Sequence, residues 1–323
     1  MGETESFSAL GSADSTLGSA ASRRALRAML QRPRFEVLPL PGVVEDVTAH
    51  LPVGATVTVT ASPSQGPTAT VEVAAALGRR GYRAVPHLAA RHCAGEKELA
   101  ETLEQLVTAG TEEVFIIGGD AGLHRAAADV SSEAYRDGEE LLAAVRRLAP
   151  DLAVGVPGYP EGHPKISTAE LTASLERKVS HAQGGAAHGG AAQSGAAQSI
   201  TVVGQLCFDP QIVLSWISAL RESGMQAPVF AGIPGRVSAA RLLGIAGRIG
   251  VGDSLRFLSG GTGTLRRLAI PGRYDPTPLA AGLAAGAGGV VVSGIHLYTF
   301  NALEETEHWR QQLLARLGEG EPA

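Results

Sequence analysis

Residues 96–120 read EKELAETLEQLVTAGTEEVFIIGGD, and the change of rhythm inside this stretch decides the fold. From Glu96 to Ala109, Leu99, Leu103 and Leu106 recur at three- and four-residue intervals, the period of one helix face. From Val114 to Gly118 the pattern contracts to a short apolar run, as in a strand covered on both faces. Gly119 and Asp120 end that run with a polar turn.

The same unit repeats in both directions. Strand-like runs fall near Phe35–Leu38, Thr56–Thr60, Ala84–Leu88, Leu152–Val156, Ile200–Phe208, Val229–Ile233 and Gly289–Leu297. Helix-patterned segments include Ser22–Gln31, Thr68–Arg80, Gly138–Leu148, Thr168–Val179, Pro210–Ser223, Val237–Ile249 and Leu303–Leu317. Eight strands alternating with helices predict a parallel sheet, either a closed barrel or a doubly wound open one. Eight such units in 323 residues match a barrel, and no Gly-x-Gly-x-x-Gly turn follows the first strand. The expected architecture is a single-domain α/β protein, a (β/α)8 barrel over residues 22–318. Residues 1–21 are expected to be a disordered lead and 319–323 a tail. The repetitive stretch 183–199, QGGAAHGGAAQSGAAQS, buries too little side-chain surface to offset its ordering entropy and reads as a mobile insertion at the N-terminal end of the barrel. His181 and His188, in that region, read as solvated.

Composition narrows the class. The net charge of -5 comes without a Lys/Arg run, which argues against a nucleic-acid surface. Cys93 and Cys207 are the only cysteines, far apart and without metal-ligand spacing, as expected of a reducing compartment. The acidic, Ser-rich start is unlike a secretory signal, and no apolar run has the length of a membrane span. A cytoplasmic protein without a metal site or a membrane partner is the expectation; the oligomeric state is left open.

In a (β/α)8 barrel, catalytic groups project from the C-terminal ends of the strands. Polar residues gather there along this chain: Glu36, Thr60, His87, Asp120, the run Gly158–Pro164, Gln205, Asp209 and His296–Asn301. Each has a plainer reading. Asp120 after two glycines suits a turn or a helix cap. Gln205 could satisfy buried backbone groups, His87 could be a core histidine, and both cysteines read as inert. Glu36 is the exception, because a carboxylate inside an apolar run of a barrel strand has a raised pKa and suits a general acid.

Nine segments in order, RFEVLPL, VTVTAS, AVPHLAAR, VFIIGGDAG, VGVPGYPEGHPK, LERKV, VGQLCFDP, APVFAGIPG and GIHLYTFN, together resemble the catalytic barrel of methylenetetrahydrofolate reductase. The resemblance implies reduction of 5,10-methylenetetrahydrofolate to 5-methyltetrahydrofolate, a step toward methionine, with NADH or NADPH as reductant and FAD as hydride carrier. It implies that Glu36 is the general acid for ring opening and that Asp120 acts between flavin and pterin. An anion there would favour the iminium cation formed on opening. It places Gln205, Phe257 and Asn301 on the folate. It places Thr60, His87, Gly119, Asp120, Tyr159, His163, Arg177, Lys178 and Tyr298 around the cofactor, with Lys178 a point charge for the diphosphate.

The departures from the family pattern cluster on the flavin side. Gly118 stands where Arg or Thr is common, Leu171 and Ser174 where Asp and Asn face the cofactor, and Glu176 where a basic residue is usual. Ala302 replaces an arginine found beside the folate in some members. Hydride would then reach the folate through weakly bound FAD or directly from the nicotinamide. The competing classes are a folate-dependent methyl transferase and a folate-binding barrel without turnover.

Overall fold

The computed structural model describes residues 17–62, 65–119, 135–184, 200–238, 241–242, 273–286 and 292–318. Eight strands pair in sequence order, each parallel to the next, and β8 returns to β1 to close the barrel. They are β1 (Arg34–Val37), β2 (Thr56–Val59), β3 (Arg83–Ala89), β4 (Glu113–Ile117), β5 (Ala153–Gly158), β6 (Ile200–Gly204), β7 (Val229–Pro234) and β8 (Gly294–Tyr298). The helices around them are α1 (Ala20–Gln31), α2 (Val43–His50), α3 (Gly66–Gly78), α4 (Glu96–Thr108), α5 (Gly138–Leu148), α6 (Thr168–Gly184), α7 (Pro210–Glu222), α8 (Thr277–Ala285) and α9 (Leu303–Gly318).

The strands alternate because each must serve two environments. Phe35, Val37, Val57 and Val59 point outward into the buried layer shared with the helices. Their neighbours Arg34, Glu36 and Thr58 share the inward face through the registers Glu36↔Thr58, Arg34↔His296 and Glu36↔Tyr298. Inside, Val85, Phe115 and Val203 form a small apolar cluster with Ile117 and Phe230. Large rings lie against glycines. A Cβ on Gly155 would sit 2.4 Å from the Phe115 ring, and one on Gly294 would sit 2.6 Å from the Phe230 ring. Near the N-terminal end of the barrel Arg34 donates two hydrogen bonds to Glu113, at 2.8 and 3.1 Å, and stacks over Phe230.

Local rules set the helix ends. Asp137 caps α5 by accepting from the backbone of Glu139 and Glu140, and Arg146 and Arg147 occupy its last turn. Asp209 caps α7, with Pro210 in the first turn. At the other end of the chain, Arg310 of α9 pairs with Glu307 and donates to the carbonyl of Leu30, tying α9 to α1.

Several boundaries differ from the sequence expectation. The sixth strand stops at Gly204 rather than Phe208, because Gln205 and Cys207 turn their backbone N–H groups to Gly158 and Gly232 before the Asp209 cap. The eighth begins at Gly294 rather than Gly289; residues 287–291 lie outside the described residues. Helix α1 starts at Ala20, capped by Ser19, with Leu17 already buried. Helices α2 and α8 carry no strong periodic signal and were not expected. Of the expected lead over 1–21, residues 1–16 fall outside the described residues, as do 185–199 of the expected insertion over 183–199, most of Val237–Ile249 and the tail; Gln183 and Gly184 instead close α6, which runs past the expected Val179.

Strand packing inside the barrel is tight enough to test by substitution. In Gly232→Ala the new Cβ would lie 2.0 Å from the Gly204 carbonyl oxygen, where only backbone can give way. Urea denaturation should show a loss of about 3 kcal/mol.

Candidate functional site

Glu36 lies near the C-terminal end of β1, half-buried on the inward face. Its Oε2 sits 3.0 Å from Nε2 of His296 and 3.9 Å from Nε2 of His87. No other described hydrogen bond engages the carboxyl group, and solvent reaches 13% of the side chain. Residues 296–301 hold this carboxylate in place. Thr299 Oγ1 donates to the Glu36 carbonyl at 2.5 Å. The Asn301 side chain accepts from Leu38 N and donates to Leu38 O, at 2.8 and 3.0 Å. Turning Asn301 back onto β1 requires left-handed backbone at both Phe300 (φ 48) and Asn301 (φ 61), an uncommon state for non-glycine residues.

Burial sets the electrostatics. It pushes Glu36 up from 4.5 to about 7, an effect partly opposed by the nearby His87. Burial also drives His87 down to about 4 and His296 down to about 3, so both imidazoles are neutral near pH 7. His87 stacks on Phe115 at 4.6 Å, and His296 meets Tyr298 edge-on at 4.8 Å. Tyr298 donates to the Gly204 carbonyl, and its phenol is held well above its ordinary pKa by burial and by the Glu36 and Tyr159 charges. The arrangement is a carboxylic acid able to exchange a proton near neutrality, set among neutral polar groups.

Other residues singled out from the sequence spread around the same end of the barrel. Thr60, one residue past β2, keeps its hydroxyl buried and without a partner, as His87 does its Nε2. Gln205 follows β6 and is half-buried. Gly119 follows β4 with φ 77; its carbonyl accepts from Arg91, whose guanidinium lies 3.6 Å from where a Gly118 Cβ would stand. Tyr159 and His163 meet edge-on at 5.6 Å in the β5–α6 loop. Asp120 and Phe257 lie outside the described residues. Cys207 is not isolated: its thiol donates to Glu161 Oε1 at 3.1 Å, and burial pushes its pKa up. His296 appears in the sequence only as the start of the polar run 296–301, with no role assigned to it. The available signal was its i, i+2 spacing from Tyr298, which puts both on one face of β8.

A resident flavin needs cations for its diphosphate and polar groups for its ring edge. Thr60 and His87 could serve the ring. The expected cations are ill suited to it: Arg177 donates through two nitrogens to Glu139 at 2.8 Å, Ser174 bonds the same carboxylate, and burial pushes the Lys178 ammonium's pKa down, opposed in part by Glu139 and Asp137. Leu171 lines an apolar groove of about 500 Å³ between α6 and α7 together with Leu175 and Trp216. The described residues do not make a diphosphate cradle. Among them, no group of three or more His, Cys, Asp or Glu side chains is placed to hold a metal ion. No helix among the described residues is long and apolar enough to cross a membrane.

The closed parallel barrel defines a (β/α)8 protein, with a carboxyl of raised pKa among the residues at its strand ends. The family model of methylenetetrahydrofolate reductase matches residues 40–246, well over half of the chain, and the protein belongs to that family. Glu36 and residues 294–301 lie outside the matched segment. Among solved structures, a protein from Clostridium thermocellum that binds two copies of 5-methyl-5,6,7,8-tetrahydrofolic acid aligns over 91% of this chain and 99% of its own, with 10% identity and a TM-score of 0.55. A triosephosphate isomerase from Bartonella henselae aligns over 88% and 99%, with 12% identity and a TM-score of 0.41. At 10% identity the first likeness concerns the fold alone.

The buried carboxyl makes a stability prediction. Glu36 has a higher pKa folded than unfolded, so ionising it costs folding free energy. That cost is absent below pH 4.5, grows as pH rises toward about 7 and is constant above. Glu36→Gln, which cannot ionise, should therefore gain on the parent protein by about 3 kcal/mol between about pH 5 and about pH 8, read by urea unfolding.

Proposed function

We propose that the protein reduces 5,10-methylenetetrahydrofolate to 5-methyltetrahydrofolate with NAD(P)H, and that Glu36 is the general acid. The observation that carries the reading is the Glu36 carboxyl, with one oxygen on His296 and a pKa near 7, in a chain of this family. Glu36 gives its proton to a nitrogen of the methylene-bridged ring. The O–H bond breaks, a C–N bond of the ring opens toward that nitrogen, and the carbon is left as an iminium cation. Hydride from the dihydronicotinamide then forms the methyl group, giving NAD(P)+, and Glu36 regains its proton from water. Gln205 suits the pterin edge because an amide donates and accepts at once. Asp120 is assigned the stabilisation of the cation.

The pairing of Arg177 with Glu139 and the burial of Lys178, which disfavours its charged form, support direct hydride transfer, without a resident flavin. Turnover of the purified protein should be independent of added FAD and the preparation colourless. A bound flavin absorbance that titrates with activity contradicts this part of the reading.

A second reading, a folate-binding barrel without turnover, draws support from the folate-binding C. thermocellum protein of similar fold. Glu36→Gln separates the two. If the reductase reading holds, kcat falls by about 10²–10⁴ while the Kd for 5-methyltetrahydrofolate stays within a few-fold. The absence of NAD(P)H oxidation in the parent protein, with folate binding intact, would support the second.

A further inference from the structure

Resting on the reductase reading, we infer that His296 is a positioning residue that holds Oε2 of Glu36, so that the acid's transferable proton sits on Oε1, the oxygen His296 leaves free.

The tautomer follows from the bonding. His296 is 1% exposed; its Nε2 has one neighbour, Glu36 Oε2, and its Nδ1 is buried without a partner. A proton on Nδ1 would leave a buried N–H donor unsatisfied. A proton on Nε2 leaves only a bare ring lone pair on Nδ1, the less costly of the two orphans. The ring is therefore an Nε2–H donor to Oε2. In a protonated carboxyl the carbonyl oxygen is the better acceptor, so the Nε2–H donor favours the form with the carbonyl at Oε2 and the hydrogen on Oε1. When the proton leaves Oε1, the electron pair stays on the carboxylate and the Nε2–H bond to Oε2 strengthens. One side chain thus orients the acid before transfer and steadies its conjugate base afterward.

The groups facing Glu36 are few enough to isolate this role. From β8 they are His296 and Tyr298, and from β3 His87, which stands 3.9 Å from Oε2 and stacks on Phe115. From β2 the inward neighbour is Thr58, which does not titrate here. Below, on β1, Arg34 is neutralised by Glu113 of β4. Across the mouth Tyr159 interacts with Tyr298. His296 alone lies within hydrogen-bond distance of the carboxyl.

Two measurements test the inference. The first is 15N NMR of the imidazoles in the whole protein near neutral pH, with His296 assigned from the spectrum of His296→Leu. The Nε2–H tautomer is expected, and an Nδ1–H tautomer overturns the proposal whether or not the protein turns over. The second is the pH profile of kcat/KM. Removing the donor in His296→Leu should move the alkaline midpoint upward and lower the acid plateau about ten-fold, and His296→Gln, which keeps a donor near the Nε2 position, should restore both. A plateau loss with an unmoved midpoint, or no rescue by Gln, leaves His296 a packing residue and defeats the proposal. Absence of reductase turnover in the parent protein defeats the functional reading instead, and the tautomer still decides the role of His296.

Discussion

Closure of the sheet between β1 and β8 is the constraint on which the site depends. Strand residues about 260 positions apart meet there, and the seam carries more than its backbone ladder. His296 reaches the Glu36 carboxyl, Thr299 the Glu36 carbonyl, and Asn301 both backbone groups of Leu38. The left-handed turn at Phe300 and Asn301 makes the last of these contacts possible. Strain in that turn is offset by hydrogen bonds made on β1, so the closure of the barrel and the placement of its acid are one event.

The interior of this barrel is more polar than a core built for stability alone would be. Arg34, Glu113, Glu36, His87 and His296 all face inward, and several of their polar atoms lack partners. Burying such groups costs folding free energy, and the surrounding layer of Val, Leu and Ile side chains against the helices offsets it. The cost falls mainly on the acid and its imidazole neighbours, which is how a carboxyl group comes to exchange protons near neutrality. The Arg34–Glu113 pair closes the N-terminal end of the interior and satisfies the charge nearest to that acid.

The architecture was legible because parallel strands and amphipathic helices write their periods directly into the chain. Leu99, Leu103 and Leu106 mark α4, and the run Val114–Ile117 marks β4. Glu36 was legible for the same reason, as a charge in an apolar strand. The bond from His296 to it was not, since the two lie across the closing seam and no local pattern reports a contact over 260 residues. The helix α8 is nearly uniform in hydrophobicity, with Leu279, Ala280, Leu283 and Ala284 all buried, so it shows no face to find. Asn301, expected on the folate, has its amide bonded to Leu38, a use that depends on two φ angles no composition reveals. The engagement of Arg177 by Glu139 likewise joins two helices that sequence order keeps 38 positions apart.

The central claim is that barrel closure makes Glu36 an acid poised near neutral pH. Infrared spectroscopy of the protonated carboxyl stretch, taken as the difference between the parent protein and Glu36→Gln across a pH titration, tests it most directly. The account predicts a band that disappears with a midpoint near 7. A midpoint at the ordinary glutamate value of 4.5 would contradict it.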